Sequence, residues 1–167
     1  MKKRAIFLDR DGVINRVTGQ YYVYNPVDFV LNEGLIEFLK AMQKAGFLLA
    51  VISNQGGIAR GLYGREDADR VNGMFTETCR EQGISIAEVY YCPHHPDTVN
   101  CLCRKPLPLM LEKAMARFDI EPGLSWMIGD SERDAGAGKA AGLNTLRVGT
   151  NEDLRPYITR IISRARD

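Results

Sequence analysis

Ala5-Ile6-Phe7-Leu8-Asp9-Arg10-Asp11-Gly12-Val13-Ile14-Asn15, near the start of a 167-residue chain, is the stretch that decides the fold. Four apolar residues in a row read as a buried strand of a parallel sheet, because such strands are covered on both faces and lose the alternation of a half-exposed one. The strand ends in two acids one residue apart, and Gly12 then lets the backbone turn sharply. In open α/β sheets ligands sit beyond the carboxyl ends of the strands, which puts Asp9 and Asp11 where chemistry is done. Unit charges at ~4 Å and an effective dielectric of 20 repel by about 4 kcal/mol. Both acids stay ionised only beside a cation, and Mg²⁺ characteristically takes one or two carboxylates together with phosphate oxygens. A bare Asp-x-Asp is also ordinary turn chemistry; the apolar strand before it and the Gly-Val-Ile after it make the pair a candidate site.

Outward from this strand the chain alternates helix and strand. Leu35, Ile36, Leu39, Met42 and Ala45 have helical spacing, and Gly46 stops that helix. Strands are expected over 47–52, 86–91, 125–128 and 145–148, with helices over 65–82, 107–118, 133–141 and about 152–164. Repeated βα units give an α/β fold, a three-layer doubly wound parallel sheet. The last helix carries Arg155, Arg160, Arg164 and Arg166, read as a solvated face. Residues 16–33 form a long loop, the kind that is usually functional; Tyr21, Tyr22 and Tyr24 in it could line a sugar site or pack as a lid hinge.

Length and composition fit one soluble domain over 1–167. A net charge of +1 gives no support to nucleic acid or an anionic membrane as partner. Met-Lys-Lys-Arg resembles the basic start of a signal peptide, but the apolar run after it stops at Asp9. No stretch approaches the ~20 apolar residues of a membrane span. A cytoplasmic monomer with reduced cysteines is expected.

Three further stretches carry chemistry. Ser53-Asn54 follows the second strand, where a hydroxyl and turn N–H groups can hold phosphate oxygens. Arg104-Lys105-Pro106 offers two cations, with the proline opening a helix behind them. Met127-Ile-Gly129-Asp130 is an apolar strand running into a carboxylate, and Asp134 four residues on suits the first turn of a helix. Separately, Cys92-Pro-His94-His95 and Cys101-Leu-Cys103 place pairs of ligands one residue apart, which in extended chain puts both on one side. Cys92, His94, Cys101 and Cys103 would make a closed tetrahedral Zn²⁺ site of the structural type, stapling a loop over 92–103 too polar to build its own core. His95 is left to contact substrate or to face solvent. Cys79 stands apart on a helix and reads as buried.

Asp9-x-Asp11-Gly-Val resembles the first signature of the haloacid-dehalogenase-like (HAD-like) phosphohydrolases, and the other three motifs follow in that family's order. The resemblance implies that Asp9 is a phosphorylated nucleophile and that Asp11 protonates the leaving group and then activates water. It also implies that Ser53 and Lys105 steady the transferring phosphoryl. Mg²⁺ would be held by Asp9, the Asp11 main chain and Asp130, with Asp134 behind them. With its Cys/His loop the chain is similar to the D-glycero-D-manno-heptose 1,7-bisphosphate 7-phosphatases of nucleotide-activated heptose synthesis, and next to histidinol-phosphate phosphatases. Gly57-Ile-Ala-Arg60-Gly61 argues for the former. By that similarity the substrate, a small phosphorylated sugar, would meet Thr18, Gly19, Gln20, Tyr21, Tyr22, Ser53, Asn54, Gln55, Gly56, Arg60, Arg104 and Lys105. Some relatives have Lys after the fourth-motif Asp, where this chain has Ser131. No separate cap domain fits in the chain, so the tyrosine and cysteine loops must frame an open site. A phospho-Asp receiver domain is the alternative of a different class, and it has no use for the cysteine loop.

Overall fold

A computed structural model describes residues 2–164. Five strands, β1 (Arg4–Leu8), β2 (Phe47–Asn54), β3 (Ile86–Cys92), β4 (Trp126–Gly129) and β5 (Asn144–Arg147), form one sheet in the order β3-β2-β1-β4-β5. Every pairing is parallel, with Ile6 opposite Leu49 on one side and Trp126 on the other. The helices are α1 (Leu35–Lys44), α2 (Arg65–Glu81), α3 (Leu109–Phe118), α4 (Glu132–Ala140) and α5 (Ile158–Arg164).

Successive residues of β1 feed opposite faces, as a period of two requires. Ile6 and Leu8 pack with Phe38, Leu39 and Met42 of α1, Phe75 of α2 and Ile161 of α5. Ala5 and Phe7 pack with Met110, Leu111 and Ala114 of α3 and Ala137 of α4. This makes three layers with an apolar interior on each side of the sheet. Truncating a fully buried phenylalanine such as Phe7 or Phe38 to alanine is expected to cost about 3–5 kcal/mol. The chain moves outward from β1 to β2 and β3, then returns across β1 to β4. The strand order therefore reverses between β1 and β4, and a crevice opens there at the carboxyl ends.

Three expectations need correction. Strand β2 runs on through Ser53 and Asn54, which are registered against Tyr91 and Cys92, so these residues end the strand instead of following it. Pro106 does not open a helix: residues 104–107 form a turn closed by Leu107 N–H donating to the Arg104 carbonyl at 2.9 Å, the Lys105–Pro106 peptide is cis, and α3 starts only at Leu109. The final helix is shorter than expected, because Pro156 supplies no N–H to a helical ladder. Arg155–Tyr157 is a 3₁₀ turn, and α5 begins at Ile158. Arg155 is drawn into pairs with Asp153 and Glu33, and Arg164 lies over the Trp126 ring; Arg166 is outside the described residues. Among the described residues no helix is long and apolar enough to cross a membrane.

Candidate active site

Asp9 leaves β1 with its N–H donating to the Ile128 carbonyl of β4 at 2.9 Å, which holds it at the reversal point. Its carboxylate, with those of Asp130 and Asp134, forms a cluster whose oxygens lie within 4.8 Å of one another. Close approach of backbone makes this possible. Gly12 has φ +87°, and a Cβ there would sit 2.3 Å from Asp130 Oδ2. A Cβ on Gly129 would sit 2.1 Å from that of Asp134.

Lys105 is clamped into this cluster. Its ammonium donates to Asp9 Oδ1 at 2.7 Å and to the Ile52 carbonyl at 2.7 Å, and lies 2.6 Å from Asp134 Oδ1. The backbone beneath it is held by Asn54, whose side-chain amide bonds both the Lys105 carbonyl (3.1 Å) and its N–H (3.0 Å). Asp134 in turn caps α4 reciprocally with Ser131, whose N–H and hydroxyl donate to Asp134 Oδ2 at 3.0 and 2.6 Å. Thr150 donates to Asp130 Oδ2 at 2.7 Å.

The electrostatics follow from burial and this sharing. Burial pushes Asp9 up to about 7 against the pull of Lys105, and the charges of Asp134 and Asp11 add to the rise. Burial alone would lower Lys105, but Asp9 and Asp134 outweigh it and hold the ammonium above its ordinary value. Burial likewise opposes ionisation of Asp134, yet Lys105 and Ser131 hold its carboxyl below the usual range. Three gathered acids against one lysine are a donor set of hard oxygens suited to Mg²⁺.

Asp11 lies apart from this cluster. Its carboxylate accepts from Arg10 Nε at 3.2 Å and Nη2 at 3.1 Å, and from Gln55 Nε2 at 2.9 Å. Arg10, only 1% exposed, is itself fixed by the Asn72 side chain and the Val23 carbonyl. Gln55 also donates to Ser53 Oγ at 2.8 Å and accepts from the Tyr63 hydroxyl at 2.5 Å. Burial and the nearby Asp11 charge hold that phenol well above its usual range.

A cavity of about 350 Å³ covers Asp9, Asp11, Lys105, Asp130 and Asp134 and is walled by Val17, Tyr21, Tyr22, Asn54, Gly56, Arg104, Ser131, Arg133 and Thr150. The three tyrosines thus divide: Tyr21 and Tyr22 line the cavity, whereas Tyr24 stacks on Tyr63 with ring centroids 4.6 Å apart. Ser53 and Gln55 are buried beneath the wall, and Thr18, Gly19, Gln20 and Arg60 are exposed outside it. Arg10, Tyr63, Arg133 and Thr150 were not singled out from the sequence. Thr150, just beyond β5, could have been found from its strand-end position; the others depend on packing between distant segments.

Beside the cavity, at the end of β3, Cys92, His94, Cys101 and Cys103 converge. Cys92 Sγ lies 3.0 Å from Cys103 Sγ and 3.6 Å from Cys101 Sγ, and His94 Nδ1 lies 3.6 and 3.2 Å from Cys92 and Cys103. Tetrahedral Zn²⁺ with bonds of about 2.3 Å needs ligand edges of about 3.8 Å, so small outward shifts of these atoms would fit it. Arg104 donates to the His94 carbonyl at 3.0 Å, tying this loop to the cavity wall.

A family profile described as HAD-hydrolase-like matches residues 102–164. A Burkholderia mallei protein named D-glycero-alpha-D-manno-heptose-1,7-bisphosphate 7-phosphatase is 41% identical over 151 residues, covering 87% of this chain and 79% of that protein. A Pasteurella multocida protein named for the beta anomer of the same substrate is 37% identical over 158 residues, covering 91% and 85%. Among solved structures, D,D-heptose 1,7-bisphosphate phosphatase from B. bronchiseptica, complexed with magnesium and phosphate, superposes with a TM-score of 0.81 at 29% identity, covering 94% of this chain and 86% of that one.

Proposed function

The chain belongs to the HAD-like heptose-1,7-bisphosphate 7-phosphatases, and from that premise we propose that it hydrolyses the 7-phosphate of D-glycero-D-manno-heptose 1,7-bisphosphate. The observation that carries the reading is the clamp of Lys105 between Asp9 and Asp134 beside Asp130 at the sheet's reversal point.

Asp9 attacks phosphorus in line and becomes an aspartyl-phosphate, splitting one difficult displacement into two. Lys105 neutralises the transferring phosphoryl and fixes the Asp9 carboxylate, and Asp134 keeps Lys105 in place. Asp11 gives its proton to the departing alkoxide, then takes one from the water that hydrolyses the intermediate. Arg10 and Gln55 aim the Asp11 carboxylate for both steps. Asp9 and Asp130, with the Asp11 main chain, would hold Mg²⁺, which when bound supplies charge neutralisation and orients the phosphate. Ser53, buried against Gln55, supports the floor of the site, and Asn54, at the cavity wall, would meet the phosphate. Cys92, His94, Cys101 and Cys103 would hold Zn²⁺ as a structural staple that keeps Arg104 at the wall.

Histidinol phosphate is the alternative substrate, and relatives named for heptose bisphosphate disfavour it. The two relatives are named for opposite anomers, so the decisive experiment compares Mg²⁺-dependent phosphate release from both anomers with that from histidinol phosphate. A large kcat/KM preference for either heptose anomer supports the reading. Preference for histidinol phosphate overturns the substrate and leaves the chemistry of Asp9 intact.

A further inference from the structure

The Asp11 carboxylate is bonded by two side chains, and both are anchored to one short segment of the tyrosine loop. Arg10 donates to it from Nε and Nη2, and the same Nη2 donates to the Val23 carbonyl. Gln55 donates to Asp11 Oδ2 and depends in turn on Tyr63, whose hydroxyl donates to the Gln55 carbonyl oxygen. The Tyr63 ring lies on that of Tyr24 at an interplanar angle of 8°. Val23 and Tyr24 are adjacent, and Tyr21 and Tyr22 just before them wall the cavity.

Donor and acceptor chemistry fixes the direction of this chain. The Gln55 backbone is tied down by its N–H, which donates to the Cys92 carbonyl at 2.8 Å, and this leaves the side-chain amide as the part able to turn. Both amide N–H groups are spent, on Asp11 and on Ser53. A turned amide would set its oxygen against the Asp11 carboxylate, which has only acceptors to offer when ionised. The Tyr63 hydroxyl holds the amide oxygen away. Its ring is itself fixed: it is 7% exposed, stacked on Tyr24, and so close to Gly57 that a Cβ there would lie 2.2 Å from Cε1. Burial keeps the phenol protonated, so it stays a donor.

We propose that Tyr63 is a positioning residue for the general acid Asp11, acting through Gln55 and held in place by Tyr24 of the tyrosine loop. This rests on the phosphatase reading above. As the bond from Asp9 to phosphorus forms and the ester P–O bond breaks, Asp11 passes its proton to the departing oxygen. Gln55 must hold the carboxyl group toward that oxygen at that moment, and Tyr63 sets Gln55.

The test is a ratio of kcat/KM values. Its numerator is phenyl phosphate, whose leaving oxygen needs a proton, and its denominator is p-nitrophenyl phosphate, whose leaving group departs as a stable anion. kcat/KM covers the steps up to loss of the ester oxygen, and the ratio cancels any change in the amount of folded enzyme. The ratio is expected to fall about a hundredfold in Asp11→Asn, in line with the loss of a general acid. It should fall about tenfold in Tyr63→Phe and by a few-fold in Tyr24→Ala, while Tyr24→Phe, which keeps the stacked ring, retains the wild-type ratio. An unchanged ratio in Asp11→Asn overturns Asp11 as the acid, and this role with it. A fall in Asp11→Asn with no fall in Tyr63→Phe, including equal losses toward both esters, overturns the role of Tyr63 alone. A wild-type ratio in Tyr24→Ala overturns the part assigned to the loop.

Discussion

Replacing Lys105 by methionine keeps most of the side chain's volume and deletes its charge from a site only 2% exposed. The carboxylates of Asp9 and Asp134, no more than 4.8 Å apart, would then face each other without a cation. At that separation and an effective dielectric of 20, unit charges repel by about 3.5 kcal/mol. Stripping a buried charge of its partner costs about 3–5 kcal/mol in general. We therefore expect metal-free Lys105→Met to lose about 3–5 kcal/mol of unfolding free energy at pH 8, within the ~5–15 kcal/mol that a domain has. The loss has a pH signature. Asp9 has a folded pKa near 7 against an unfolded 3.8, so its contribution favours folding at low pH and is lost as pH rises through that interval. Without Lys105 the folded value moves higher still, and the penalty keeps growing above pH 7. Asp134 runs the other way: its pKa is lowered in the folded protein, so its stabilisation is present above 3.8 and lost below its folded value. The variant loses that contribution too, which leaves a residual difference at pH 5. Urea unfolding of both proteins at pH 5 and 8 should show the larger gap at pH 8, partly closed by Mg²⁺. A gap that is flat with pH, or larger at pH 5, would refute the assignment of the penalty to the two facing carboxylates.

Gln55 is fully buried and its amide reaches Asp11, so Gln55→Leu should reduce kcat about tenfold, equivalent to ~1.4 kcal/mol of barrier, with little change in KM; a change confined to KM would show that Gln55 serves binding instead. Tyr63→Phe leaves the Gln55 carbonyl oxygen without its donor, an expected stability loss of about 1–3 kcal/mol read from the denaturation midpoint. Of the four cysteines, the three that converge with His94 should resist a thiol reagent in Zn²⁺-loaded protein and react after chelation. Cys79, whose thiol burial pushes up to about 12, should react only on unfolding; early labelling of Cys79, or equal labelling with and without chelator, would contradict these assignments.

Features set by short-range pattern are legible in the sequence itself. The apolar run before Asp9 identified β1, and the one-residue spacing within each Cys/His pair identified four side chains that do converge. Features set by partners far along the chain are not. Lys105 could be placed near Asp9 only by analogy, because its clamp depends on Asn54 and Asp134 arriving from other elements. Nothing in the sequence around Arg10 shows that its guanidinium bonds both Asp11 and Asn72 on α2. Pro156 carries a readable signal against a helix starting at 152, since it supplies no N–H to the ladder, and the expected helix ran across it. The Arg133–Tyr21 contact joins positions 112 residues apart, which no local pattern encodes.

The charge balance of the site carries a last consequence. Within the bonded network, the carboxylates of Asp9, Asp11, Asp130 and Asp134 are met by only two cations, Lys105 and Arg10. Two negative charges are left unmatched, the complement of one divalent ion. Without it, Asp9 relieves the excess by holding a proton up to about pH 7. Mg²⁺ and that proton therefore compete for one carboxylate, and binding must expel it. With a pKa near 7, Mg²⁺ binding to the metal-free protein should release about nine-tenths of a proton at pH 6 and about one-tenth at pH 8. Apparent affinity should accordingly weaken by about tenfold per pH unit well below 7. Calorimetric titration in buffers of different ionisation enthalpy measures the proton count directly. A release that stays constant from pH 6 to 8 would mean that Asp9 is already ionised in the empty site, and that Lys105 neutralises it more fully than its sharing with Asp134 allows.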